Sequence, residues 1–494
     1  MNHVTAGPDR DVRRALVWDG AATKTMESLA GGVVLAGLAL HLGASDHAIG
    51  LLAALPLAAQ LVQIPALRLV FRVRDRKRLC VAASAASRAC LLLVAGVALL
   101  APGPVALQAF FLVFAASVTL AAVGGLSWSY WMRDLIPHDQ LGRTISHRLR
   151  AQGAVSVVFV LVSGVVIERI TDAGSASLGY ALLLGAGALV GFAGLAAIRA
   201  VPDVPLDPAD AAPPFLELAR GTWREERVRR PILFIVAFGF ATTLAFPFLT
   251  VFLLTSLQLP FGTVTAFAAA SLLASLLFYP IWGRLTDRFG EKAVLAAVIP
   301  ILIATMLLLT TIEDASPRSL VILGVVHVVN GAILAALELA SANLILKVAP
   351  PHRSGAFLAV AGAARAAASG TAAVVGGALA TFFSGRSLAF DVAWTAPGGG
   401  GIATPVVLAH YDFVFVASGV ILLFALHRLA LVEVGRETPR RVVFRELQVQ
   451  IQAASSVLAA RTLSQIATHV TRHVHDRRKA PGPAVKKRPP QEFP

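Results

Sequence analysis

Apolar runs of twenty or more residues alternate with short polar stretches along most of this chain. A run of ~20 apolar residues crosses the hydrocarbon core of a bilayer as a helix, so the pattern predicts an all-α protein of about twelve membrane spans. The first run covers about residues 15–42, and the second ends near Val70. The third ends at the turn Pro102, Gly103, Pro104, and the fourth at an aromatic cluster, Trp128, Tyr130 and Trp131, which suits an interfacial belt. The fifth and sixth lie within 151–198 and are separated near 171–175. Residues 199–230 then change character: Pro202, Pro205, Pro208, Pro213 and Pro214 break structure, and 217–230 are charged. Six more spans follow, the last four near 293–312, 320–346, 355–383 and 413–432. The glycine-containing stretch 384–410 reads as a long loop. This divides the chain into a first six-helix half (1–198), a linker (199–230), a second half (231–432) and a basic tail (433–494).

Charge orients the pattern. Arg72, Arg74, Arg76, Lys77 and Arg78 follow the second span, and Arg133, Arg143 and Arg148 follow the fourth. The intervening loops carry little Lys or Arg. Because basic loops stay on the cytoplasmic side, both termini are expected there, in a multi-pass protein of a bacterial plasma (inner) membrane. Composition agrees: 56% of residues are hydrophobic and only 14% charged, with a mean hydropathy of +0.73, where a soluble domain is about one quarter charged. The net charge of +15 sits in loops and tails and so calls for no nucleic-acid partner. Cys80 and Cys90 lie ten residues apart in one run and are not expected to pair. No apolar stretch with a small-residue cleavage site precedes the first span, so no cleaved leader is expected.

The stretch 283–292 joins two of the spans. Gly283, Leu285, Asp287, Arg288, Gly290 and Lys292 stand in a Gly-x-Leu-x-Asp-Arg-x-Gly-x-Lys pattern that resembles the loop signature of the major facilitator superfamily. The halves also repeat: Pro65 and Pro280 are 215 positions apart, and Pro137 and Pro350 are 213 apart. The resemblance implies two parallel six-helix halves with solute bound between them near the midplane, and a cavity lined by spans one, four, seven and ten. It also implies that Asp287 contacts the start of span five, near Arg148 and Arg150, as a conformational latch. In the first half the signature is degenerate, with Arg68 at the glycine position and Arg72 at the aspartate position. The fourth span lacks the arginine of many proton-driven drug exporters, and Ser163-Gly164 replaces the Gly-Pro pair of the antiporter subgroup.

No nucleophile elbow, metal motif or phosphate-binding loop is present, so neither an enzyme nor a cofactor is expected. Gly31-Gly32, Gly124-Gly125 and Gly376-Gly377 lie inside spans and read as helix-packing sites. Ionisable groups inside a membrane are expensive and mark function by default. Asp19, Thr23 and Glu27 share one helical face in the first span, with Lys24 placed to pair with Glu27; Asp19 and Lys24 either line the cavity or snorkel to the interface. Arg88 lies within the third span. His327, Gly331, Leu334 and Glu338 recur at helical spacing in the tenth, with Asn330 beside His327, and Arg365 sits among alanines in the eleventh. Asp19, Glu27, Arg88, His327, Asn330, Glu338 and Arg365 are therefore the candidates for solute binding or proton coupling. Arg88 and Arg365 have structural readings as well, Arg365 as a partner for Glu338.

The expected function is secondary transport of a small organic solute by alternating access, with the proton as coupling ion through Glu27 or Glu338, in a lipid bilayer and with a monomer favoured. The alternative is a transporter-shaped sensor or scaffold that signals through its tail. In that tail, residues 440–475 carry apolar positions at roughly helical spacing and then basic ones, the pattern of an amphipathic helix on an anionic leaflet; the end is expected to be disordered.

Overall fold

The computed structural model describes residues 10–73, 75–204, 215–349, 354–396, 399–433 and 441–452. The turn expected at 350–353, part of the linker and most of the tail lie outside these residues. The chain separates into two compact units, residues 1–437 and 438–494.

The first unit is a helical bundle with one small hairpin. Its elements are α1 (Arg10–Ala30), α2 (Gly32–His41), α3 (Asp46–Val73), α4 (Arg76–Val97), α5 (Pro104–Leu135), α6 (His138–Asp172), α7 (Ala176–Ile198), α8 (Phe215–Arg224), α9 (Glu226–Val251), α10 (Phe261–Phe289), α11 (Glu291–Leu309), α12 (Pro317–Val348), α13 (Ser354–Phe383), β1 (Ser387–Ala396), β2 (Gly399–Ala409) and α14 (Asp412–Ala430). Among the described residues, eleven helices are long and apolar enough to cross a membrane. The twelfth crossing expected from the sequence is divided: α1 and α2 in succession cover the length that the other spans cover with one helix. The division falls at Gly31-Gly32. Gly32 has φ +51, a left-handed conformation that glycine adopts without penalty. This pair breaks a helix where the sequence pattern suggested helix packing. The other two pairs do pack closely. A Cβ on Gly124 would meet Ser84 of α4, one on Gly376 the Leu244 carbonyl of α9, and one on Gly377 the Asp46 carbonyl of α3.

Helix boundaries follow local chemistry. Asp75 caps α4 by accepting from the Arg78 backbone N–H at 2.8 Å, Ser316 caps α12, and prolines open α5 and α12. The signature stretch is shorter as a turn than its charge implied. Residues 283–289 complete α10, and the reversal falls on Gly290 alone, at φ +82.

The duplication expected from the proline offsets is visible in the packing. In the first half α1 packs on α6 and α7, α4 on α5 and α7, and α3 on α5; in the second, α9 packs on α13 and α14, α11 on α12 and α14, and α10 on α12. The halves meet along α3–α13 and α6–α10. Close approach there comes from small residues: Gly50 lies against the backbone of Ala373 and Gly377, and Gly164 against Thr265 and Gly262.

Successive antiparallel helices put alternate loops on two faces. One, the basic face, carries the α1 start, the α5–α6 junction and Gly290. The other carries the β1–β2 hairpin, an antiparallel pair with a register shift between Phe390 and Val392, where the sequence reading had a loop. On this hairpin face the halves are joined by side chains. Asp46 of α3 accepts from the Tyr411 hydroxyl at 2.6 Å and bonds His410 Nε2 at 2.9 Å. The Gly262 N–H, in the first turn of α10, donates to Glu168 of α6 at 3.2 Å.

In the second unit, residues 441–452 are helical, with Gln450 donating to Glu446 one turn earlier. The remainder of the expected amphipathic segment lies outside the described residues.

Candidate functional site

The break in the first helix and a proline in the seventh span occupy matching places. Gly32 and Pro247 are 215 positions apart, the same offset as the proline repeat, and α9 passes into a π-helical turn at Phe252–Ser256 soon after Pro247. The first crossing is broken here, whereas α9 runs on through Pro247, which has no N–H to give to its own helix; backbone groups freed in these ways are ones that a polar ligand can use. The cavities lie here. One, of about 310 Å³, is lined by Glu27, Ser28, Gly31 and Gly32 of the broken helix, by α6, by Phe246 and Thr250 of α9, by Ser271 of α10, and by His327, Asn330 and Leu334 of α12. A second, of about 460 Å³, adjoins it at Gly32, Phe246, Thr250 and Leu334 and extends toward α3.

α12 supplies most of the fixed polarity of the first cavity. Ser271 and Ser275 of α10 donate to the His327 and Gly331 carbonyls at 2.6 and 2.7 Å, and Gly331 has no Cβ that would collide with the Ser271 backbone. α12 is thereby held tightly against α10. His327 is buried, with its ring stacked on Phe267 at 5.0 Å. Its Nδ1 lies 2.8 Å from the Leu323 carbonyl; a carbonyl only accepts, so Nδ1 carries the proton and Nε2 of the neutral ring is left as an acceptor. Asn330 is 2% exposed and meets the Thr305 hydroxyl of α11 at 2.7 Å. That hydroxyl has one proton and also lies 2.8 Å from the Leu302 carbonyl. Whichever way the amide is turned, Thr305 satisfies one end of it and the other end, buried, has no partner in the protein. Ser28 and Ser156 pair at 3.1 Å and join α1 to α6.

The carboxylates differ in their surroundings. Glu27 is half exposed and bound to Lys24 at 3.0 Å, the pair expected from spacing. Glu338 lies one turn beyond Leu334 on the cavity face of α12 by the 3.6-residue period. It is exposed and accepts a hydrogen bond from the Tyr279 hydroxyl of α10 at 2.5 Å. Arg365, the partner weighed for Glu338, is instead laid by its aliphatic stem against Gly239 of α9. Asp19 does not snorkel: it is 4% exposed and paired with Arg148 at 2.9 Å, with Arg88 at 4.0 Å. Arg88 and Asp19 are thus brought together inside the first half, away from His327, Asn330 and Glu338.

Two further sequence readings are corrected. Arg148, read as a loop residue, sits in the third turn of α6, donates to the Leu16 carbonyl as well as to Asp19, and lies over the Trp128 ring at 4.6 Å. Asp287 is exposed and makes no ion pair among the described residues, in a conformation whose halves are joined at the opposite face. Of the aromatic belt, Trp131 is fully buried and donates Nε1 to the Pro202 carbonyl at 3.1 Å. From the signature, Lys292 caps the end of α14 through the Ala430 carbonyl at 3.1 Å, and the buried Glu291 pairs with Lys347 at 2.6 Å. Sequence reasoning missed Tyr279 and Thr305, each one polar residue in an apolar run whose partner lies on another helix.

Residues 232–474 match the model of the Major Facilitator Superfamily. No curated protein sequence matches the chain. Solved structures do. The crystal structure of nucleoside transporter NupG superposes with a TM-score of 0.62 at 16% identity, over 85% of this chain and 100% of that one. A bacterial homolog to the human lysosomal transporter Spinster, inward-facing and unoccupied, gives 0.61 at 14% identity, over 89% and 99%. The D-xylose-proton symporter gives 0.61 at 14%, over 85% and 96%. At such identities the likeness is one of fold. Residues 232–474 thus carry the sequence pattern of the major facilitator superfamily, and both halves carry the fold of its transporters.

Proposed function

We propose that this protein is a secondary active transporter that moves a small organic solute between its two halves by alternating access, with protons as the driving ion. The observation that carries the reading is the polar cavity where the broken first crossing meets α9 and α12, lined by His327, Asn330 and Ser28. A ligand with a donor for the imidazole and a polar group for the amide fits this lining, against the apolar walls of Phe246 and Leu334. Fold relatives described as nucleoside and sugar transporters support a polar solute. By the positive-inside rule the basic face is cytoplasmic, and the joined hairpin face makes this the conformation open to the cytoplasm.

Glu338 is the proposed proton carrier. It stands on the solute face of α12, next to a hydroxyl that donates to it, and a carboxylate that alternates between wet and closed surroundings gains and loses a proton with them. Glu27, already bound to Lys24, is the second choice. The test is Glu338→Gln in proteoliposomes with a candidate solute panel. Solute exchange should persist while uphill accumulation driven by a pH gradient disappears. Undiminished pH-driven accumulation in a stable Glu338→Gln protein would eliminate Glu338 as the carrier.

A further inference from the structure

Behind the solute cavity, inside the first half, lies a separate pocket of about 250 Å³ between α1, α4, α5, α6 and α7. It touches the solute cavity only at Glu27, which lines both. Asp19, Arg88 and Arg148 line it, together with Ser84, Trp128 and Gly125. The charges do not balance. Lys24 and Glu27 cancel at its edge, while Asp19 is the single buried carboxylate facing two buried guanidiniums, Arg148 at 2.9 Å and Arg88 at 4.0 Å. Arg148 is fully engaged by Asp19, the Leu16 carbonyl and the Trp128 face. Arg88 is not. It is 5% exposed, its Nη2 reaches Thr23 at 3.4 Å, and its Nε and Nη1 have no partner. A buried cation that shares its one carboxylate with Arg148 and leaves two of its N–H groups unpaired is unfavourable, and unsatisfied buried donors call for a bound species.

We propose that this pocket binds a small organic carboxylate, held by Arg88. One excess positive charge matches a monoanion. The volume is several times the ~30 Å³ that a water, and so a halide of similar size, takes up, and a phosphate dianion would overcompensate the charge. Access is electrostatically favourable: the same two helices, α1 and α6, open at the basic face on a cavity of about 1170 Å³ whose walls carry Arg10, Arg13, Arg14, Arg143 and His147. The proposal stands apart from the transport reading, since binding is measured without flux.

The test uses the full-length protein in detergent. Butyrate and lactate are titrated against their neutral isosteres butyramide and lactamide, with chloride and phosphate as further arms, followed by melting temperature and by fluorescence of Trp128. The carboxylates should stabilise saturably and perturb the fluorescence, and the amides should not. Arg88→Gln should weaken binding by about tenfold or more, the worth of a charged hydrogen bond. Because loss of Arg88 also disturbs Asp19, Gly125→Leu provides a second variant. A Cβ at Gly125 meets nothing within 4 Å, so leucine fills the pocket and leaves the charges in place; it should fold and abolish carboxylate binding. The proposal is overturned by any of four results: no saturable carboxylate binding to the parent, equal binding of the amides, preference for chloride or phosphate, or unchanged binding in a folded Gly125→Leu protein.

Discussion

Asp46 is the most direct handle on the conformational equilibrium. It is the first residue of α3, in the first half, and its two oxygens hold Tyr411 at 2.6 Å and His410 at 2.9 Å, both in the second half. Asp46→Asn keeps the shape and removes the charge. A hydrogen bond to a charged group contributes about 1.5–3 kcal/mol; both bonds here are partly solvated, and Asn retains one neutral bond, so the net loss is about 2 kcal/mol. That corresponds to a shift of about 30-fold toward states parted at the hairpin face. The packing of Gly50 on Gly377 is untouched, so the closed form survives as the major species. Leu52, 5% exposed and lining the cavity behind this junction, makes the readout. In a background without Cys80 and Cys90, Leu52→Cys reacts with an impermeant thiol reagent only through opening, at a rate proportional to the open population. The expected acceleration by Asp46→Asn, with reagent on the hairpin face, is about 30-fold. A ratio below about twofold, under ~0.5 kcal/mol, would refute the idea that this contact closes the face.

Asp19→Asn leaves Arg148 and Arg88 without their carboxylate and should destabilise the first half by about 3–5 kcal/mol, seen as a lower melting temperature that added Arg148→Gln partly restores. Gly32→Ala places a side chain at φ +51 and should lower stability by about 1–2 kcal/mol in a denaturation series. For topology, Ser387→Cys on the hairpin should react with an impermeant thiol reagent in intact cells, and Ser146→Cys near the α6 start should not; both residues are exposed, so a reversed pattern means a reversed orientation.

What the sequence made legible was what needs only one helix to define. Long apolar runs mark spans directly, and the pairing of Lys24 with Glu27 depends on nothing beyond helical period. The readings that failed needed a second helix. Arg148 looked like a loop residue because it follows polar neighbours; α6 simply extends past its apolar stretch, and Gly20 of α1 is bare enough for the Arg148 stem to lie against it. Trp131 resembled a belt residue until its N–H found the Pro202 carbonyl. Glu338 and Tyr279 are 59 positions apart, and no periodicity announces such a pair. The hairpin did leave a trace: Leu388, Phe390, Val392 and Trp394 alternate in β1, the two-residue period of a strand, behind a glycine run that read as loop.

The divided first crossing also bears on how the protein is made. α2 has ten residues, about 15 Å of helix, too short to span a bilayer of about 30 Å. α1 carries Asp19, Lys24 and Glu27, each unfavourable at the centre of a lone inserting helix. The arginine that neutralises Asp19 lies 129 residues later in the chain, on the fifth crossing. The first crossing of this half is therefore the last to become comfortable in lipid. It must wait at the insertion machinery, or at the membrane surface, until α6 and α7 arrive to receive it. Biogenesis of this half then proceeds as one six-helix event rather than helix by helix. In truncations that end before Arg148, a cysteine placed in α1 should stay accessible to a soluble thiol reagent.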